Sequence, residues 1–149
     1  MRFEYPYTLT KDEEGFWLAK CPDIRGAATD DKDPAVAVVE LRDALVAALG
    51  AYIEDDLDLP SPSTPSIPGQ TIALEPLHAA KLALYMAKRR HGITNTEMSR
   101  RLGNIGENSV RRMLDLDHKS HIGAIQDALK TLGRRLVIEE VPDEQRVYA

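Results

Sequence analysis

Residues 93–116, ITNTEMSRRLGNIGENSVRRMLDL, read as two short helices joined by a glycine-bearing turn. Thr94 and Glu97 have the spacing of a capping box, in which the Thr94 hydroxyl accepts the Glu97 amide and the Glu97 carboxylate reaches back to the Thr94 amide. That fixes where the first helix starts. Met98 and Leu102 lie on its inner face, Gly103 supplies the left-handed residue after it, and Val110, Met113 and Leu114 turn the second helix inward. Glu107, Asn108, Arg111 and Arg112 are left pointing elsewhere. Arg can bond guanine through two donors and Asn can bond adenine bidentately, and a helix offering its N-terminal residues to base edges is how a helix-turn-helix reads the major groove. The same spacing also suits an amphipathic hairpin with a solvated polar face.

Working outward, Leu77, Ala80, Leu84 and Ala87 line one side of a helix over 77–90 that ends at Gly92. On the other flank Ile122, Ile125, Leu129 and Leu132 mark a fourth amphipathic helix, with Ser120 as N-cap and Gly133 closing it. Residues 134–141, RRLVIEEV, read as a terminal strand able to meet another short strand at 71–74, and the last residues are expected to fray. Upstream, residues 59–69, LPSPSTPSIPG, hold four prolines, three serines and a threonine, the composition of a stiff linker. Composition, charge sign and periodicity all change there. Domains are therefore expected at 1–58 and 71–149, joined by a linker at 59–70, each with its own hydrophobic set and each able to act alone.

In the first half, Phe3, Tyr5, Tyr7 and Leu9 alternate as a strand, with Pro6 suited to an edge or irregular position. The turn KDEEG and a second strand, FWLAKC at 16–21, complete a hairpin in which Gly15 is free to take positive φ. A third short strand is expected around Ala27 and Ala28. Asp33 as N-cap and Pro34 at the first helical position then open a helix to about Asp55, with Val38, Leu41, Leu45, Leu49 and Tyr52 on one face. The fold class is α+β: a small antiparallel sheet with a helix, then an all-α helix-turn-helix domain with a short terminal strand.

The net charge of −5 hides a division. Residues 1–70 carry 6 Lys/Arg against 14 Asp/Glu, and residues 71–149 carry 13 against 10. Between Lys88 and Lys119 there are 8 basic and 4 acidic residues, so the positive charge gathers on the paired helices. This asymmetry suits one surface for phosphates and another for a cationic partner. No run of 18 apolar residues exists and the N-terminus lacks the apolar core of a secretory signal, so the expected location is the cytoplasm, without a membrane. A lone cysteine, Cys21, excludes an intrachain disulfide and reads as a small packed hydrophobe. The carboxylates Asp23, Asp30, Asp31, Asp33, Glu40 and Asp43 fall in one turn region and helix start instead of converging from separate strands, which argues against a metal-dependent nuclease. His118 and His121 have no third ligand in sequence, so no metal, cofactor or catalytic residue is assigned and the protein is not expected to be an enzyme.

The order of parts resembles a known family. GFWLAKCPDIRGAAT followed by PAVAVVELRDALVAAL, with Gly15, Pro22, Asp23 and Gly26 in the pattern, resembles the N-terminal domain of HicB antitoxins of bacterial toxin–antitoxin pairs. HAAKLALYMAKRRHGITNTEMSRRLG, SVRRMLDLDHKS and ALKTLGRRLVIEE resemble the C-terminal helix-turn-helix of one branch of that family. The resemblance spans about residues 2–141. It implies a truncated ribonuclease H-like first domain that binds a HicA-type toxin, a small basic mRNA-degrading ribonuclease, and a second domain that binds operator DNA as a homodimer or tetramer. The residues expected at DNA are Thr94, Asn95, Glu107, Asn108, Ser109, Arg111, Arg112, His118 and Lys119. The turn from Gly103 to Val110 is one residue longer than the family's pattern, and Cys21 stands where an aromatic or aliphatic residue is expected. The alternative is a stand-alone transcriptional regulator whose first domain senses a ligand or dimerises.

Overall fold

The alternating residues from Phe3 to Leu9 do not make one strand. The chain changes partners at Tyr7, giving β1 (Glu4–Pro6) and β2 (Thr8–Lys11). Pro6 has no amide hydrogen to offer a ladder. Beyond it, Tyr7 donates its amide to the Gln70 carbonyl at 3.2 Å and accepts the Gln70 side-chain amide at 2.8 Å. β2 pairs antiparallel with β3 (Trp17–Lys20), and β3 with β4 (Ala28–Asp31). Gly15, at φ 89°, makes the turn between β2 and β3, and the Asp12 carboxylate accepts the Glu14 and Phe16 amides at 2.9 Å. The register sets Leu9, Ala19 and Thr29 opposite one another across the sheet, with Ala19 fully buried.

The computed structural model describes residues 1–143, and the expected fraying of the last residues lies outside them. α1 (Pro34–Glu54) starts where the sequence places it: Asp33 accepts the Ala35 amide at 2.9 Å and Pro34 needs no acceptor at the first helical position. Its inward stripe is Ala37, Leu41, Leu45 and Leu49, all fully buried, flanked by half-buried Val38 and Tyr52. With Ala19, Cys21, Ile24 and Ala27, also buried, this stripe forms the core of the first of two compact units.

That first unit comprises Met1–Leu49, Pro60–Leu74 and the described residues from Ile138. The proline-rich stretch is therefore part of it. The Tyr5 hydroxyl donates to the Pro60 carbonyl at 3.0 Å, and the Asp23 carboxylate accepts the Ser63 amide and hydroxyl at 2.8 and 2.9 Å. β5 (Thr71–Ala73) then pairs antiparallel with β1, Glu4 opposite Ala73 and Pro6 opposite Thr71, burying Ile72. The second unit takes Gly50–Leu59 and Glu75–Val137. The units interleave along the chain and differ in their limits from a simple split at 59–70. Prolines keep that stretch from becoming helix, but its polar contacts decide where it packs.

The second unit is helical: α2 (Pro76–His91), α3 (Asn95–Arg101), α4 (Glu107–Leu114) and α5 (Ile122–Lys130), together with the last turn of α1. Buried Leu82, Leu84, Tyr85, Met98, Val110, Ile125 and Leu129 fill it. The Tyr85 hydroxyl donates to the Leu57 carbonyl at 2.6 Å, and Arg89 bonds Asp56 and Asp58 at 2.7 Å each, so residues after α1 are held within this unit. The expected terminal strand at 134–141 needs correction: these residues form no strand, and β5, the partner assigned to them, pairs with β1 instead. The α+β class stands. Among the described residues, no helix is long and apolar enough to cross a membrane.

Candidate nucleic-acid interface

The helix pair α3–α4 forms where the sequence places it. Thr94 Oγ1 accepts the Glu97 amide at 3.1 Å and so caps α3. The reciprocal half of the capping box is replaced: the Glu97 carboxylate accepts from Arg100 at 2.6 and 2.8 Å and from Arg101 at 3.0 Å. Those arginine hydrogen bonds, Arg100 first, hold the Glu97 carboxyl down at about 2. Asn95 is half-buried, and its side-chain oxygen is buried with no hydrogen-bond partner among the described residues.

The turn between α3 and α4 is closed from inside by Ser99, a residue that the sequence pattern does not single out. Ser99 is only 7% exposed; its hydroxyl accepts the Gly106 amide at 2.9 Å and its carbonyl accepts the Asn104 amide at 2.8 Å. Asn104 takes the left-handed conformation at φ 59° between Gly103 and Gly106, at φ 84° and 98°. The start of α4 is thereby tied to α3.

Along α4, Val110 and Leu114 are buried and Met113 is half-buried, while Glu107, Asn108, Arg111 and Arg112 are exposed. Arg111 is engaged by Glu107 at 2.8 Å, one helical turn back. The Ser109 hydroxyl donates to the Ile105 carbonyl at 3.1 Å. Neither the Asn108 amide group nor the Arg112 guanidinium has a partner among the described residues, so both can meet a ligand without breaking a bond.

The far end of α4 is held by a second residue missing from the sequence-based expectation. Lys81, fully buried in α2, donates to the carbonyls of Arg112, Asp115 and His118 at 2.9, 2.5 and 2.6 Å. These are orphan acceptors at and beyond a helix C-terminus, where a cation also meets the negative end of the helix dipole. Burial pushes the Lys81 ammonium below its ordinary value, and Asp115 pulls it back up. A signal is present in the sequence: position 81 follows Leu77 by four and precedes Leu84 by three, on the inward stripe, where an unpaired lysine needs acceptors.

Around the loop after α4, Ser120 is not the cap of α5. That position is His121, with no side-chain cap bond, while the Ser120 hydroxyl donates to the Arg112 carbonyl at 3.2 Å. With its one hydrogen spent there, Ser120 accepts from His118 Nδ1 at 3.0 Å. His78 Nε2 donates to the Leu116 carbonyl at 3.0 Å. Lys119 projects from a loop fixed on both sides and is exposed. The structure thus gathers Asn108, Arg111, Arg112, His118 and Lys119 on α4 and the loop that follows it, whereas Asn95 and Ser109 are half-buried.

In the first unit, Cys21 is buried and its thiol is pushed up to about 12, by burial first and Asp23 second. Among the described residues no group of three or more His, Cys, Asp or Glu could hold a metal ion.

Comparison with known proteins identifies the family. A family model described as the HicB-like antitoxin of bacterial toxin–antitoxin systems matches residues 4–83. Antitoxin HicB of Escherichia coli K12 is 34% identical over 132 residues, covering 89% of this chain and 95% of that protein. Antitoxin HicB 2 of Photorhabdus laumondii is 35% identical over 135 residues, covering 89% and 92%, and Antitoxin HicB of Pseudomonas fluorescens is 28% identical over 139 residues, covering 91% and 92%. The chain belongs to the HicB-like antitoxins of bacterial toxin–antitoxin systems.

Proposed function

We propose that the protein neutralises a HicA-type, mRNA-degrading toxin through its first unit and represses its own operon by binding operator DNA through α3 and α4. The observation that carries the DNA reading is the α4 face. Asn108 and Arg112 stand exposed and, among the described residues, unpartnered on a short helix whose start is tied by Ser99 and whose end is tied by Lys81. A helix fixed at both ends can hold side chains in register with base edges, so α3–α4 acts as a helix-turn-helix with α4 in the major groove. Arg112 and Asn108 are the base readers, with Glu107 accepting from cytosine where Arg111 releases it; Thr94, Lys119 and His118 meet phosphates.

The toxin reading is supported by family membership and by charge. Residues 1–70, with 6 basic against 14 acidic residues, present the sign that a basic ribonuclease would meet. The antitoxin then acts by covering the toxin's surface and carries out no chemistry of its own. Co-expression with the product of the adjacent gene tests this. A stable complex on size-exclusion chromatography, with RNA cleavage blocked in it, is the expected result. A protein that binds upstream DNA yet neither associates with nor inhibits that product would be a stand-alone regulator instead.

A further inference from the structure

We propose that Glu107 and Arg111 act together as the reader of a single G·C base pair, Arg111 donating to the guanine and Glu107 accepting from its cytosine. The proposal rests on α4 entering the major groove and adds which base pair this row of the helix selects.

Glu107 and Arg111 lie four residues apart and form a row beside that of Asn108 and Arg112. Arg111 Nη2 donates to Glu107 Oε1 at 2.8 Å, and the two side chains are 65% and 47% exposed. This bond uses one guanidinium hydrogen. Nη1 and the second hydrogen of Nη2 can still donate, and the carboxylate keeps lone pairs that Arg111 does not use. Side by side, the two head groups offer two donors followed by an acceptor.

A G·C pair shows the complementary order in the major groove: guanine N7 and O6 accept, and the cytosine N4 amino group donates. O6 and N4 are joined by their own hydrogen bond, ~2.9 Å long, so a carboxylate 2.8 Å from Nη2 stands beside N4 when Nη2 stands beside O6. An A·T pair puts a donor second and an acceptor third, and each meets a group of its own kind. A reversed C·G pair sets its donor against the guanidinium. The same pairing weighs against a phosphate contact. Arg111 carries a carboxylate beside its charge, so the pair is neutral and has no net attraction to the DNA backbone, unlike Arg112, which is without a partner among the described residues.

The test is fluorescence anisotropy of the full-length chain on the DNA upstream of the gene and on duplexes carrying every single base-pair change within the footprinted half-site. Wild type should prefer G·C over the other three pairs at one position by roughly 5- to 150-fold, the discrimination of a good bidentate contact. Glu107→Ala and Arg111→Ala should each flatten the preference at that position and leave the other positions as they are. The double variant should flatten it no further than Arg111→Ala does, and its slope of log affinity against log salt should equal that of wild type. An exposed pair adds little to stability, so all three variants should melt as wild type does. Single variants that relax no base pair or two different ones, a preferred pair other than G·C, or a double variant whose slope falls by about one would overturn the proposal while leaving α4 as the reading helix. A wild type that does not distinguish the upstream DNA from a scrambled duplex would remove α4 as the reading helix, and this proposal with it.

Discussion

Replacing Lys81 by Met removes the ammonium that holds the end of α4 while nearly conserving side-chain volume. The three bonds lost run to the Arg112, Asp115 and His118 carbonyls. A hydrogen bond from a charged donor contributes ~1.5–3 kcal/mol, so the gross loss is ~5–9 kcal/mol. Against this stands the desolvation of a buried ammonium, several kcal/mol, which Met does not incur. Carbonyls that rehydrate recover a further part. The net destabilisation should be ~2–4 kcal/mol. At roughly 2–4 °C per kcal/mol for a chain of this size, the melting midpoint should fall by roughly 4–16 °C. Urea unfolding followed by circular dichroism gives the free energy, and hydrogen exchange gives its location: amides at 115–120 should lose protection before those of β2–β4. If Lys81→Met unfolds with wild-type stability and the loop keeps its protection, the buried lysine does not organise the end of α4.

Lys119→Ala should weaken binding to specific and random DNA alike and lower the slope of log affinity against log salt by about one, as for a phosphate contact. The Glu97 carboxyl sits at about 2 in the folded state against an ordinary value of 4.5, so its contribution is complete above 4.5 and disappears as pH falls towards 2; Glu97→Gln should flatten that part of the stability–pH curve. A fragment of residues 1–58 lacks β5 and the partners of Tyr5 and Asp23, and losing buried Ile72 alone forfeits ~1.5–3 kcal/mol. It should therefore give a poorly dispersed NMR spectrum, whereas residues 1–74 should retain the resonances of a folded sheet.

Features set by neighbours along the chain are legible in the sequence. Asp33 with Pro34, Thr94 with Glu97, and Gly92, Gly103 and Gly133 mark helix ends because capping is a matter of a few residues. Features that depend on a distant partner are not. The split of the first strand at Tyr7 is set by Gln70, and β5 finds β1 across more than sixty residues of chain. A run of prolines looks like a linker until Asp23 and Tyr5 bond it to the first unit. At the candidate interface, the exposed arginines follow from helical spacing. Ser99, which fixes the start of the helix that carries them, looks like an ordinary surface residue until its donor is known, whereas Lys81 is marked by its place on the inward stripe of α2 but its acceptors are not.

Whether α4 reads operator sequence is tested most directly by fluorescence anisotropy at fixed salt, comparing wild type with Arg112→Ala on the DNA upstream of the gene and on a scrambled duplex. Wild type should prefer the upstream DNA, and footprinting should show two half-sites about one helical turn, ~34 Å, apart. Arg112→Ala should lose ~1–3 kcal/mol on that DNA, roughly 5- to 150-fold, while its affinity for the scrambled duplex changes little. Equal losses on both duplexes, or a wild type that does not distinguish them, would contradict the assignment of α4 as the reading helix.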